Sequence, residues 1–164
     1  MARVLVALGS NLGDAERHVH AGWRALVGVL ALREPRLSSL FCSDPAEGVR
    51  GGRFINAVGA GHTDLSPQAV LTLLLAIERS FGRDRPRDGE SHARSLDLDL
   101  LDWQGIRLDA VNLQLPHPRM AQRDFVLLPL AELVPNFVDV RSGQPIDALL
   151  AGLTRRWTLA PCAT

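Results

Sequence analysis

Two aspartates alternate with leucines in residues 94–101, which read Arg-Ser-Leu-Asp-Leu-Asp-Leu-Leu. Strict alternation over this length predicts a β-strand, whose successive side chains point to opposite faces. Asp97 and Asp99 therefore share one face, and their carboxylates start about 6–7 Å apart. Like charges this close repel each other unless a cation lies between them. Mg²⁺ binds one or two carboxylates and leaves its other positions to phosphate oxygens and water. The strand is a candidate metal site for phosphate chemistry, and an ordinary strand with one solvated face is the alternative.

Arginines precede this strand in a segment without apolar periodicity. Residues 82–95 are dense in arginine and glycine, and we expect them to form a mobile loop. Arg83, Arg85 and Arg94 lie just upstream of the two aspartates. Arginine forks bind phosphate oxygens, and a mobile arginine loop can close over a polyphosphate and exclude water. The alternative is a solvated loop whose acidic residues pair with its arginines.

A stiff segment with one histidine follows further along the chain. Pro116 and Pro118 fix the backbone on both sides of His117, which helps to aim the imidazole at a ligand. Arg119 and Arg123 come next, four residues apart and thus on one face of a predicted helix. A turn with an incidental histidine is the alternative.

An aromatic ring and a carboxamide share one face of another predicted strand. Phe54 and Asn56 are two residues apart, which is the strand repeat. A flat heterocycle can stack on the ring while the amide donates and accepts hydrogen bonds in the plane of the heterocycle. Ordinary core packing is the alternative for the phenylalanine.

The elements that must position these residues alternate irregularly, which favours an α+β fold over a doubly wound sheet. We predict a single domain over residues 1–164, because no linker, repeat or low-complexity tract divides the chain. The predicted elements are a strand over 3–9, a helix capped by Ser10 or Asn11, a strand over 34–42, a loop over 44–53, a strand over 54–61, a helix from Ser66-Pro67 to Gly82, the aspartate strand over 94–101, a helix over 119–133, and a last strand and helix.

Composition excludes several classes of function. All 18 basic residues are arginines, so neither a Walker-type phosphate lysine nor Schiff-base chemistry is available. The formal net charge is zero, which argues against a nucleic-acid partner. No apolar run approaches the roughly 20 residues that span a bilayer. Cys42 and Cys162 are far apart and form no metal-ligand spacing, so we expect a reduced, cytoplasmic protein without a disulfide framework.

Four motifs occur in one order along the chain. They are Ala7-Leu8-Gly9-Ser10-Asn11-Leu12-Gly13, Phe54-x-Asn56-Ala57-Val58, Gly82-Arg83-x-Arg85 to Arg94-x-Leu96-Asp97-Leu98-Asp99, and Leu115-Pro116-His117-Pro118-Arg119 to Arg123-x-Phe125. No single motif is decisive, but together they resemble the 6-hydroxymethyl-7,8-dihydropterin pyrophosphokinase family, and the resemblance covers about residues 3–150.

This resemblance implies a ferredoxin-like α+β fold with a mostly antiparallel sheet, and transfer of pyrophosphate from ATP to the pterin hydroxymethyl group with release of AMP. It implies two Mg²⁺ ions on Asp97 and Asp99, and a monomer whose partners are ATP and the pterin. The implied catalytic residues are Arg83, Arg94, Asp97 and Asp99. The implied ATP contacts are Glu78, Arg83, Arg85, Arg94, His117 and Arg123. The implied pterin contacts are Phe54, Asn56 and Phe125.

Two other functions are compatible with parts of this pattern. A non-catalytic ligand-binding domain on the same scaffold is one, since a fold alone does not determine function. A metal-dependent nuclease or phosphatase also uses paired carboxylates, but Phe54, Asn56 and the zero net charge disfavour it.

Overall fold

A computed structural model of the protein describes residues 1–43, 52–82, 95–154 and 159–162. The strands are β1 (Ala2–Ser10), β2 (Arg33–Leu37), β3 (Phe41–Ser43), β4 (Phe54–Thr63), β5 (Asp97–Trp103), β6 (Leu108–Ala110), β7 (Leu113–Leu115) and β8 (Leu159–Pro161). The helices are α1 (Ala15–Val29), α2 (Pro67–Ser80), α3 (Asp124–Leu133) and α4 (Ile146–Ala151), and a 3₁₀ turn covers Met120–Gln122. Among the described residues, no helix is long and apolar enough to cross a membrane.

The main sheet has the strand order β5-β1-β4-β3-β8, with β2 also paired to β4, and its pairings are antiparallel. If β2 and β3 are taken as one strand position, the chain runs β-α-β-β-α-β up to β5. Across the sheet, the order of these strand positions is then fourth, first, third, second. This is the split βαβ arrangement of ferredoxin-like folds, so the predicted α+β class is confirmed.

The sheet carries a core on each face because its strands alternate. Along β1, Val4, Val6 and Leu8 pack with α1 and α2, whereas Leu5 and Ala7 pack with α3 and α4. The side of the sheet that α3 and α4 cover is called the α3 face below. It is the face on which the candidate site lies.

The start of α1 differs from the prediction. Asp14 is the capping residue, and its side chain accepts a hydrogen bond from the Arg17 N–H. The prediction of Ser10 or Asn11 as the cap was wrong, because Ser10 is still part of the sheet and the backbone of Asn11 is bonded to a loop residue. Ser10 still pairs with Ile55 on β4, and the Asn11 carbonyl accepts the Gly52 N–H at 3.0 Å. The predicted cap of α2 at Ser66, with Pro67 following, is confirmed.

Two predicted elements are interrupted where local hydrogen bonds replace the regular pattern. The strand predicted over 34–42 divides into β2 and β3 because the Ser38 hydroxyl, instead of a backbone carbonyl, accepts the Val58 N–H. The helix predicted over 119–133 divides at Arg123, whose extended backbone ends the 3₁₀ turn before α3 begins.

The expectation of separate, reduced cysteines is wrong for this structure. Cys42 and Cys162 form a disulfide with a Cα–Cα distance of 5.2 Å. The two residues meet because β3 pairs with β8, which places Cys42 beside Ala160 near the C-terminal end of the chain. Distance along the sequence carried no information about this pairing.

Candidate active site

The two aspartates lie on the α3 face of β5. Asp97 and Asp99 are half-buried, whereas Leu98 between them is buried in the core under α1 and α2. Their neighbours on β1 are Gly9 and Ala7, which are small and also half-buried. The predicted alternation is confirmed, and the two β1 neighbours leave space beside the carboxylates because neither of them carries a large side chain.

Arg123 brings a positive charge to this pair of carboxylates. Its Nη1 lies 3.2 Å from Asp99 Oδ2, and the two side chains are 26% and 34% exposed. The guanidinium carbon of Arg123 lies 5.6 Å from the centre of the Phe125 ring. Water screens this pair only in part. If a second cation takes over Asp99, the same guanidinium is free to bind a phosphate oxygen.

His117 is fixed by its backbone beside the end of β5. Its N–H donates to the Leu101 carbonyl at 2.8 Å, and its Nδ1 accepts the Arg119 N–H at 3.2 Å. Burial lowers the pKa of His117 more than the nearby carboxylate of Asp99 raises it. The ring is therefore neutral near pH 7 with its proton on Nε2, which makes it a hydrogen-bond donor.

Asn56 lies on the same sheet face, two strands away from Asp97. Gly9 is the β1 partner of both residues, so their Cα atoms are roughly 9–10 Å apart across two strand spacings. The Asn56 side chain is 7% exposed, and its Nδ2 donates to Ser43 Oγ at 3.4 Å. Phe54 points to this face as well and is half-buried. The carboxylates and the amide therefore lie on one face of the sheet, with Gly9 between Asp97 and Asn56.

Ser43 is a site residue that the sequence reasoning missed. It touches the amide of Asn56, and it is the β3 partner of Phe54. The only signal in the sequence is its position directly after the strand predicted over 34–42. Gly9 belongs to the motif over residues 7–13, but its place between Asp97 and Asn56 depends on the pairing of three strands.

Glu78 lies beneath the site and not on its surface. Its side chain is 1% exposed, and its Oε1 accepts the Leu98 N–H at 2.8 Å. Glu78 comes four residues after Leu74, on the buried face of α2. The contact that it makes is with the strand that carries Asp97 and Asp99, so its expected contribution to nucleotide binding is indirect.

Three expected phosphate ligands lie outside the described residues. They are Arg83, Arg85 and Arg94, and most of the loop predicted over 82–95 lies there too. Their roles stay predictions.

The donor set on β5 fits a hard cation that is shared with a substrate. Within residues 1–43, 52–82, 95–154 and 159–162, no group of three or more histidine, cysteine, aspartate or glutamate side chains could hold a metal ion alone. Two half-buried carboxylates on one strand face match the one or two that Mg²⁺ takes when phosphate oxygens and water complete its shell. Asp97 and Asp99 are thus suited to a metal–nucleotide complex.

Comparison with known proteins identifies the family of the chain. Residues 5–135 match the model of the family described as 7,8-dihydro-6-hydroxymethylpterin-pyrophosphokinase. The chain belongs to this pyrophosphokinase family. The match contains all of the candidate site residues, from Gly9 to Phe125.

Relatives in the family align along most of the chain. A 2-amino-4-hydroxy-6-hydroxymethyldihydropteridine pyrophosphokinase of Synechocystis sp. is 38% identical over 159 residues, which are 96% of this chain and 80% of the relative. The enzyme of the same name from Pseudomonas aeruginosa is 40% identical over 149 residues, 91% of this chain and 90% of the relative.

Solved structures share the fold. Wild-type Plasmodium falciparum HPPK-DHPS with pteroate superposes with a TM-score of 0.70 over 92% of this chain at 12% identity. This chain spans 42% of the length of that protein. The similarity therefore concerns the fold of the pyrophosphokinase part.

Proposed function

We propose that this chain transfers pyrophosphate from ATP to the hydroxymethyl group of 6-hydroxymethyl-7,8-dihydropterin and releases AMP, a step of folate biosynthesis. Family membership supports this activity. The structural observation that carries the proposal is the row Asp97, Gly9 and Asn56 across three neighbouring strands. It holds a phosphate-binding function and a ring-binding function on one surface, as a two-substrate transfer requires.

In this proposal Asn56 sets the position of the pterin. Its amide meets the edge of the heterocycle, while Phe54 and Phe125 stack on the two ring faces. A ring with its edge at Asn56 extends towards Asp97 along the open sheet surface over Gly9. The hydroxymethyl oxygen then reaches the phosphate chain of ATP.

Asp97 and Asp99 would hold two Mg²⁺ ions together with the phosphate oxygens. When bound, Mg²⁺ neutralises the triphosphate and orients it for displacement. The hydroxymethyl oxygen forms a bond to the β-phosphorus, the bond from this phosphorus to the α,β-bridging oxygen breaks, and AMP leaves. The hydroxyl proton passes to solvent or phosphate. The catalytic contribution of the chain is to position both substrates and stabilise charge.

The cationic and neutral donors around Asp99 have separate roles in the proposal. Arg123 would exchange Asp99 for a phosphate oxygen of the substrate, and Asp99 would then be one of the residues that hold the metal. His117 donates its Nε2–H to the phosphate chain as a neutral group. Arg83, Arg85 and Arg94 supply further guanidinium contacts from outside the described residues.

The test measures AMP and ADP release from ATP and Mg²⁺, with and without the pterin. Pterin-dependent AMP without ADP is expected. Asp97→Asn and Asp99→Asn should each lower kcat at least about 100-fold while the protein stays folded. Asp64→Asn is the matched control, because Asp64 is an exposed carboxylate that pairs with Arg33, and it should keep full activity.

Several results would overturn parts of this proposal. Hydrolysis of ATP, nucleic acid or phosphomonoesters without pterin would favour a nuclease or phosphatase. Pterin binding without AMP formation would favour the non-catalytic binding domain. A folded Asp99→Asn variant with full kcat would remove the metal role from Asp99. The single domain over residues 1–164, the monomeric state and the cytoplasmic location stay proposals, and size-exclusion chromatography tests the second.

A further inference from the structure

Gly9 occupies the middle of the row that joins the two halves of the site. It pairs with Asp97 on one side and with Asn56 on the other. Leu8 before it is buried in the core under α1 and α2, so position 9 faces the opposite, α3 side of the sheet. Gly9 is half-buried there. Whatever crosses from Asn56 to the carboxylates passes over this residue.

The backbone at Gly9 does not itself require glycine. Among the described residues, the glycines with positive φ are Gly13, Gly82, Gly105 and Gly143, and Gly9 is not among them. An L-amino acid can therefore adopt the backbone conformation at position 9. The reason for glycine must be space.

That space is limited by the amide of Asn56. A Cβ atom on Gly9 would lie 3.3 Å from Asn56 Oδ1 and 3.9 Å from the Ile55 carbonyl oxygen. Asn56 is buried and hydrogen-bonded to Ser43, so it has little freedom to turn away. Gly59, by comparison, would meet the ring of Trp23, which makes it a packing glycine. At Gly9 the neighbouring atom is the hydrogen-bond acceptor of the site.

We propose that Gly9 is a positioning residue that determines how the heterocycle binds. Its missing side chain keeps Asn56 Oδ1 accessible to a ring N–H or amino donor and leaves the path to Asp97 clear. This inference rests on the proposed function, because it takes Asn56 as the residue that meets the heterocycle. It assigns to Gly9 a selection for flat rings that present a donor and an acceptor side by side on one edge.

The test is a KM and kcat analysis of Gly9→Ala. A methyl group beside Oδ1 costs about one hydrogen bond to the pterin, so its KM should rise about 10-fold. The KM for ATP should stay within about twofold, since the methyl group contacts Asn56 and not the carboxylates. Gly28→Ala is the matched control, because a Cβ atom there meets nothing within 4 Å, and it should leave both KM values unchanged.

A double-mutant cycle separates an effect through Asn56 from a general structural effect. Asn56→Ala removes the atom that the new methyl group would contact. In that background Gly9→Ala should change the pterin KM less than about twofold. If Gly9→Ala alone does not fold, the pair should still fold, because the contact with Oδ1 is gone.

Each of the following outcomes decides whether Gly9 positions the heterocycle. A pterin KM that Gly9→Ala leaves unchanged in an otherwise active enzyme would overturn the role of Gly9 alone. Equal increases in both KM values, a full effect in the Asn56→Ala background, or an unfolded pair would assign Gly9 to the fold and also overturn it. A wild-type protein without pterin-dependent AMP would overturn the proposed function itself.

Discussion

The buried carboxylate of Glu78 allows a quantitative test of how β5 is held in place. Glu78→Ala removes the acceptor of the Leu98 N–H, which now lies 2.8 Å from Oε1. A buried N–H without a partner costs about 1–3 kcal/mol, and the lost methylene adds about 1 kcal/mol. The free energy of unfolding should therefore fall by about 2–4 kcal/mol. For a chain of this size, the Tm should fall by about 4–16 °C.

The same substitution should raise the Mg²⁺ requirement of the enzyme. Leu98 lies between Asp97 and Asp99, so a shift of its N–H moves both carboxylates. Groups that orient metal ligands typically change metal affinity about 10-fold or more. The assay is a Mg²⁺ titration of pterin-dependent AMP release. It is run at a temperature at which urea unfolding curves show that each variant is folded. We expect the Mg²⁺ concentration for half-maximal activity to rise about 10-fold in Glu78→Ala.

Two variants control for lost charge and lost stability. Glu78→Gln keeps an oxygen that can accept the N–H, and it should lose only about 1 kcal/mol, the difference between a charged and a neutral acceptor. Leu74→Ala, one turn earlier on α2 and 1% exposed, should cost about 2–5 kcal/mol without changing the Mg²⁺ requirement. If Glu78→Ala unfolds like the wild type, or if Leu74→Ala shifts the Mg²⁺ titration equally, Glu78 does not hold the metal-binding strand in place.

The remaining predictions concern pH and the disulfide. The folded protein lowers the pKa of His117, so the unfolded chain binds its proton more readily, and stability in Mg²⁺-free buffer should decrease as the pH falls through about 6.5. His117→Asn should flatten this decrease, and a variant with the same slope as the wild type by urea unfolding would contradict the assignment. The disulfide between Cys42 and Cys162 closes a loop with a sequence separation of 120, for which chain entropy predicts about 5 kcal/mol, while measured values are typically about 2–4 kcal/mol. Dithiothreitol should lower the unfolding free energy of the wild type by about 2–4 kcal/mol and should leave that of Cys162→Ser unchanged. A wild type whose unfolding free energy does not respond to the reductant would show that the disulfide does not contribute to stability.

Features set by neighbours along the chain could be predicted from the sequence. The leucine and aspartate alternation places Asp97 and Asp99 on one face of β5, because a strand repeats every two residues. Ser66 caps α2 because its side chain accepts a hydrogen bond three residues on. The burial of Glu78 also agrees with the helical repeat, since Glu78 follows the buried Leu74 by one turn of α2.

Local competition between equivalent signals could not be settled in this way. Ser10, Asn11 and Asp14 are all good caps, and Asp14 caps α1 because the first two are engaged with β4 and Gly52. The break between β2 and β3 depends on a hydrogen bond from the Val58 N–H to the hydroxyl of Ser38, a residue twenty positions away.

The sequence by itself determined which residue types are available for the chemistry of the site. The tertiary structure determined how these residues come together. Residue types and spacing identified the carboxylates, the amide, the histidine and the family motifs, because these depend on composition and short-range periodicity. The strand order β5-β1-β4 is what brings Asp97, Gly9 and Asn56 into one row, and the pairing of β3 with β8 is what joins the two cysteines. Such pairings depend on which distant segments bury each other's apolar faces. The free energy gained by this burial depends on the whole sheet and not on any one segment.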